Sequence, residues 1–115
     1  MPLIDTKARD RIRDLNDTFR RTLDPRLGRM MLTAGVNTLP EDIRTAAIRK
    51  TAAFDAFTPD NDPHGEHDFG AFELGEDRFF FKIDYFDPNL EFGSDDPANA
   101  TRTTRVLTLM LAEEY

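Results

Sequence analysis

Both histidines of the chain lie in one short acidic stretch, which reads FTPDNDPHGEHDFGAFE from Phe57 to Glu73. Imidazole and carboxylate groups often act in proteins as acids, as bases and as metal ligands. We therefore take this stretch as the candidate functional segment. The residues that we expect to bind a ligand or a partner are Asp60, Asp62, His64, Glu66, His67 and Asp68.

A calcium loop is the first chemistry to test. Asp60, Asp62, His64 and Gly65 occupy the first, third, fifth and sixth positions of an EF-hand-like pattern. The fifth position should provide an oxygen ligand, and the twelfth should be a glutamate but is Ala71. The spacing therefore argues against an EF-hand.

A transition-metal site is the second possibility, because His64, His67 and Asp62 offer ligands that Zn²⁺, Mn²⁺ or Fe²⁺ accept. However, HGEH lies in a glycine-containing loop and lacks the helical H-E-x-x-H spacing that turns two rings towards one ion. We expect no cofactor. A divalent transition metal stays open as the alternative, and it would make the protein a metal-dependent hydrolase.

Acid–base catalysis without a metal is the third possibility. The candidate catalytic residues are His67, Asp68, Lys82 and Asp84. Lys82, Asp84 and Glu73 are similar to the lysine and carboxylate sets of metal-dependent nucleases, but Phe80 stands where that pattern needs an acidic residue. Neither a nucleophile elbow nor a phosphate-binding loop accompanies them, so the sequence argues against an enzyme.

The same stretch is also typical of an ordered turn. Its aspartates and Asn61 favour turns, Pro59 and Pro63 stiffen the backbone, and Gly65 and Gly70 permit unusual backbone angles. Its carboxylates either face inward around a ligand or outward towards a partner. We expect most of residues 60–66 to face outward, and we expect His67 and Asp68 to matter structurally or chemically.

The charge is unevenly distributed. The net charge is −7, yet residues 1–53 hold eleven Lys and Arg against seven Asp and Glu, whereas residues 54–100 hold two against thirteen. This distribution predicts an acidic face, built from the loop 58–69 and the connection 84–96, that binds a basic protein surface. Direct nucleic-acid binding is disfavoured, because phosphate-backbone binders are basic.

Length and patterning indicate which elements hold these residues. The 115 residues predict a single domain over 1–115. A helix from Asp5 to Leu23 is expected, with a salt-bridged, solvated face that pairs Asp17 with Arg20 or Arg21. We expect a strand over 29–36. A second helix over 39–53 is expected to begin with a capping box of Thr38 and Glu41.

The second half predicts a hairpin. FGAFEL and RFFFKIDYF flank the turn GED, and the second arm has apolar residues on both faces, which favours a central strand. A short edge strand is expected near residues 90–92, and a terminal helix is expected to open at Asp96 and Pro97. The expected class is α+β, with a small antiparallel or mixed sheet of three to four strands packed with about three helices.

The chain has no cysteine, no apolar leader in its first fifteen residues and no apolar run long enough to span a bilayer. These features predict a cytoplasmic protein that uses neither disulfides nor the membrane.

Several segments together resemble a family of small uncharacterised proteins of alphaproteobacteria and their plasmids, a domain of unknown function. They are LTAGVNTLPEDIR, FDAFTPDNDPHGEHDFGAFE, FFKIDYFD, FGSDDPA and RVLTLMLAEEY. The resemblance implies a bacterial cytosolic protein, often linked to mobile DNA, and it assigns no activity.

Taken together, these features favour a non-enzymatic protein-binding or regulatory module. A mobile-element setting would suit an anti-defence inhibitor or a mimic of nucleic-acid charge. Besides the metal-dependent hydrolase, a structural or oligomerising protein stays open, with the apolar end MLAEEY packed between subunits.

Overall fold

A computed structural model describes residues 6–115, in which three helices and four strands form. The helices are α1 (Thr6–Thr22), α2 (Ala34–Asn37) and α3 (Glu41–Ala53). The strands are β1 (Gly28–Leu32), β2 (Phe69–Leu74), β3 (Asp77–Phe86) and β4 (Thr104–Leu111). The α+β class is confirmed. Within the described residues, no helix is both long and apolar enough to cross a membrane. Asp5, the predicted start of α1, lies outside them.

The four strands form one mixed sheet in the order β1-β4-β3-β2. The outer strand β1 runs parallel to β4, whereas β3 is antiparallel to both of its neighbours. The predicted hairpin is confirmed as β2 and β3, and β3 lies inside the sheet as its two apolar faces indicated.

Within the described residues, the α-helices cover only one face of this sheet. The alternate residues Phe79, Phe81 and Ile83 of β3 and Leu107 and Leu109 of β4 are buried there. They form one core with residues of α1 and α3, among them Phe19 and Ala47. The opposite face, which we call the open face, presents Phe80, Lys82, Asp84 and Phe86 of β3, Val106, Thr108 and Met110 of β4, Met31 of β1 and Phe69 of β2.

The predicted terminal helix is wrong, because Thr104–Leu111 is the strand β4. In this segment Arg105, Leu107 and Leu109 alternate with residues of the open face, which is the period of a strand. β4 lies between β1 and β3, so both of its edges are hydrogen-bonded. Helical structure near Asp96 is limited to a short 3₁₀ turn, Ala100–Arg102.

Three smaller predictions need correction. The strand predicted over 29–36 forms as β1, but it ends at Leu32 and α2 follows it. The capping box does not form, because the Thr38 hydroxyl donates to the carbonyl of Gly35, and α3 begins after Pro40. In place of an edge strand near residues 90–92, one isolated bridge joins Phe86 to Gly93.

Gly70 allows the aromatic core to close over β2. A Cβ atom added there would overlap the ring of Phe81 and lie 2.8 Å from Cε1 of Phe54. We expect Gly70→Ala to lower the free energy of unfolding by about 1 to 3 kcal/mol, because overpacking forces the rings apart. Chemical denaturation measures this change. Gly93→Ala is the matched control, since its Cβ would lie 3.8 Å from the nearest atom. Equal stability of the two variants would contradict this packing.

Candidate functional site

Asp62 organises the loop between α3 and β2 from the inside. Its side chain is only 5% exposed, and its Oδ1 accepts hydrogen bonds from the backbone N–H groups of Glu66, at 3.1 Å, and His67, at 3.2 Å. An aspartate that accepts from backbone donors fixes a turn in this way. The loop therefore closes on one of its own carboxylates.

His67 is the point at which this loop meets α1. Its ring stacks on Phe57, with centroids 3.9 Å apart and planes 4° from parallel. Nδ1 lies 2.9 Å from Oδ1 of Asp17, and Nε2 lies 3.7 Å from Oδ2 of Asp62. The backbone φ of His67 is 56°, a left-handed value that a non-glycine residue rarely adopts. The surrounding contacts hold the residue in this conformation.

Asp17 also joins the loop to a buried cation. Its Oδ1 accepts from Nη1 of Arg20 at 2.8 Å, and the Arg20 side chain is 1% exposed. Arg20 donates further to the carbonyl of Phe54 and lies over the rings of Phe57 and Phe81. The predicted pair of Asp17 with Arg20 forms, but the expectation that it lies on a solvated face is wrong.

A second set of buried hydrogen bonds starts from the neighbouring residue of α1. The Nδ2 of Asn16 donates to the carbonyl of Glu66 and to the hydroxyl of Tyr85, which donates to Oε1 of Glu66 at 2.7 Å. The Oδ1 of Asn16 accepts from Nε of Arg105 at 2.6 Å, and Arg105 is fully buried in β4. Its Nη2 donates to the carbonyl of Pro97.

These two sets form one assembly, which we call the polar cluster. Its members are Asn16, Asp17, Arg20, Asp62, Glu66, His67, Tyr85 and Arg105. Two consecutive residues of α1, Asn16 and Asp17, contact two consecutive residues of the loop: Asn16 bonds to Glu66, and Asp17 bonds to His67. The polar cluster therefore ties α1, the loop and two strands together.

Burial and charge set the protonation of this cluster. Burial tends to raise the pKa of Asp17, but hydrogen bonds from Arg20 and His67 outweigh it and hold that pKa below its usual value. Burial raises the pKa of the Tyr85 hydroxyl, and its hydrogen bond to Glu66 raises it further. Burial lowers the pKa of Arg105. At neutral pH Asp17 is thus a carboxylate that accepts the Nδ1 proton of His67.

The carboxylates beside His67 lie on two different sides of its ring. The two ring nitrogens of His67 point to opposite sides, one towards Asp17 and one towards Asp62, so these carboxylates do not converge with the ring on one ion. Within residues 6–115, no group of three or more His, Asp or Glu residues is arranged to hold a metal.

The other candidate residues lie elsewhere. Lys82 and Asp84 form an ion pair at 2.9 Å on the open face, on the other side of the sheet from the polar cluster. Asp60 and His64 are exposed. Asp68 is partly buried at the start of β2, and burial, helped by the charge of Glu66, raises its pKa. The structure does not bring His67 together with Lys82 and Asp84.

Sequence reasoning missed three members of the cluster, Asn16, Tyr85 and Arg105, and it placed the pair of Asp17 and Arg20 on a solvated face. A partial signal existed, since Asn16 and Arg20 each directly follow a member of the apolar stripe of this helix, which the spacing places at Ala8, Ile12, Leu15, Phe19 and Leu23. Tyr85 shares its strand face with Phe79, Phe81 and Ile83, and the sequence showed this. The burial of Arg105 had no signal while its segment was interpreted as a helix.

Residues 32–114 match a family described as a protein of unknown function, DUF3768. The chain belongs to this family. The DUF3768 match includes the loop, β2, β3 and β4 but begins after α1, so it contains Asp62, Glu66 and His67 without their partners Asn16 and Asp17. No curated protein and no solved structure matches the chain.

The carboxylate of Asp17 gives the cluster a pH dependence. A group whose pKa is lowered by folding stabilises the fold above its unfolded pKa, about 3.9, and loses that contribution as the pH falls through its folded pKa. We expect Asp17→Asn to cost about 1 to 3 kcal/mol at pH 7 and clearly less near pH 2.5, as measured by urea denaturation. Asp14→Asn is the control, since its side chain is 71% exposed. An equal cost at both pH values would contradict the arrangement.

Asn16 is the neutral link to a buried charge. Asn16→Ala removes the acceptor for Nε of Arg105 and leaves that guanidinium poorly compensated, so we expect a loss of about 3 to 5 kcal/mol in unfolding free energy. Asn37→Ala, at an exposed position of α2, should change it by less than about 0.5 kcal/mol. Similar losses in the two variants would show that the Asn16 contacts are unimportant.

Proposed function

We propose that the protein is a non-enzymatic, cytoplasmic binding module whose acidic connection between β3 and β4, residues 87–96, engages a basic segment of another protein. The observation that supports this most directly is Phe92, whose side chain is 71% exposed within that connection. Leu90 nearby is 41% exposed. Apolar anchors surrounded by polar residues are typical of protein interfaces.

The charges around these anchors favour a basic partner. Between Lys82 and Arg102 the chain has no Lys, Arg or His, and its five acidic residues there are Asp84, Asp87, Glu91, Asp95 and Asp96. Arg102 approaches Asp95 only to 3.6 Å and Asp96 only to 3.9 Å. Among the residues that the structure describes, the negative potential of the connection is therefore only weakly compensated, and it would attract cationic side chains.

The connection is also held in one shape. Asp87 accepts from the backbone N–H groups of Asn89 and Glu91, and its own N–H donates to the carbonyl of Phe92. The N–H of Ser94 donates to the carbonyl of Tyr85. Such bonds fix the connection before binding, which reduces the entropy lost when a partner docks.

The loop 58–69 contributes less to this acidic face than its composition indicates. Asp62 and His67 are used inside the fold, which leaves Asp60 and His64 as exposed members. A partner with the basic surface of a nucleic-acid-binding protein would fit such a face. Towards that partner, the acidic face would imitate the negative charge of a nucleic acid.

A labelled peptide of alternating Lys and Leu residues tests the proposal by fluorescence anisotropy. We expect Glu91→Lys/Asp95→Lys to weaken binding by about tenfold or more. Glu76→Lys/Glu113→Lys reverses the same number of charges at exposed positions beside the other end of β3, so it is the matched control. Phe92→Ala should weaken binding and change stability by less than about 0.5 kcal/mol.

The controls separate a local site from net charge. Equal weakening by the two double variants would show that only the net charge of the protein matters. Failure of the wild-type protein to bind the basic peptide, or equal binding of a Glu and Leu peptide, would contradict the proposal.

A further inference from the structure

Along β3 the open face has a pattern of side chains that is complementary to its own reverse: reading it in the other direction exchanges the cation and the anion and leaves an aromatic ring at each end. Its outward residues are Arg78, Phe80, Lys82, Asp84 and Phe86. In the last four, a cation and an anion at the centre are flanked by one aromatic ring on each side. On the adjacent β4, Met110 lies opposite Phe80 and extends that apolar end, whereas Val106 lies opposite Asp84 and Thr104 lies opposite Phe86.

We infer that this face binds a second copy of the chain. A two-fold axis between two stacked sheets, perpendicular to β3 and level with residue 83, would place Lys82 of each copy against Asp84 of the other. The same axis brings Phe80 of each copy onto Phe86 of the other. A two-fold interface must be self-complementary, and this arrangement of charge and ring meets that requirement.

The charge of the face removes the main obstacle to self-association. The protein has a net charge of −7, which would keep identical copies apart. The strand register also places Arg29, Arg78 and Glu73 on the open face, beside Lys82 and Asp84. Three cations thus face two anions, and the face shows no excess of negative charge. Two copies can therefore approach through this face, whereas a basic partner is drawn to the connection 87–96.

Exposed apolar side chains border the same face. Met31 of β1 is 53% exposed, and Tyr115, which packs edge-on against Phe69 and Phe80, is 76% exposed. Among residues 6–115, the α-helices lie on the other face of the sheet only. Sheets that pack face to face lie about 10 Å apart, a spacing that these side chains can fill.

Analytical ultracentrifugation over a range of protein concentrations tests the inference with charge variants. The wild-type chain should form a dimer that dissociates on dilution. Lys82→Glu and Asp84→Lys each place like charges across the two-fold axis, so each should weaken the dimer by about tenfold or more. The double variant Lys82→Glu/Asp84→Lys should dimerise as the wild type does. Arg49→Glu, with the same change of charge on an exposed position of α3, should have no such effect.

Mixing the two single variants is the sharpest measurement. The Lys82→Glu variant presents two anions at these positions, and the Asp84→Lys variant presents two cations. The mixture should form a heterodimer, although each variant alone is monomeric. Circular dichroism confirms that each variant is folded. A wild-type chain that is monomeric at every concentration, a dimer that both single variants leave intact, or a mixture that stays monomeric would overturn the inference.

Discussion

The fold depends on a guanidinium that has no contact with water. Arg105 points from β4 into the side of the sheet that α1 covers, and its cost of burial must be offset by nearby acceptors and by an aromatic surface. The side chain of Asn16 and the carbonyl of Pro97 provide the acceptors. The ring of Tyr85 lies against the guanidinium, with its centroid 5.3 Å from Cζ of Arg105. One helix, one connection and two strands must therefore be in place together for this charge to be tolerated.

The second consequence concerns the loop with both histidines. Asn16 donates a hydrogen bond to the carbonyl of Glu66, and Asp17 pairs with the ring of His67. Asp62 accepts from the backbone of the same loop and so fixes it from within. Residue types that are common in active sites are here bonded to one another, and the ring nitrogens of His67 already face carboxylates. A left-handed backbone at His67 is the local cost of this arrangement, and it fits a residue fixed by several neighbours.

The sequence predicted the parts whose pattern is local. The apolar stripe of α1, the turn between β2 and β3, and the two-faced apolar pattern of β3 each lie within one continuous segment and have one natural interpretation. The segment Thr104–Leu111 does not, because leucine and methionine suit a helix as well as a strand, and only pairing with β1 and β3 decides.

The polar cluster was hidden for a related reason. Asn16 and Glu66 lie fifty residues apart, and Asn16 and Arg105 lie eighty-nine apart, so no local spacing announces their contact. Local pairing of charges identified Asp17 and Arg20 but placed them in solvent, since a sequence shows which charges are neighbours and does not show which of them the fold will bury.

The chain thus has an inner and an outer acidic region. The loop at 58–68 uses its carboxylates largely to build the structure, whereas Glu91, Phe92 and Asp95 of the connection 87–96 are exposed. The connection, and not the loop with both histidines, is therefore the binding surface that we propose.

Backbone hydrogen exchange, measured with and without the alternating Lys and Leu peptide, tests this division most directly. The account predicts slow exchange at the amides of Glu66 and His67 in both conditions, and added protection on peptide binding within residues 87–96. Rapid exchange at those two amides in the free protein, or peptide-induced protection concentrated in residues 58–66, would contradict it.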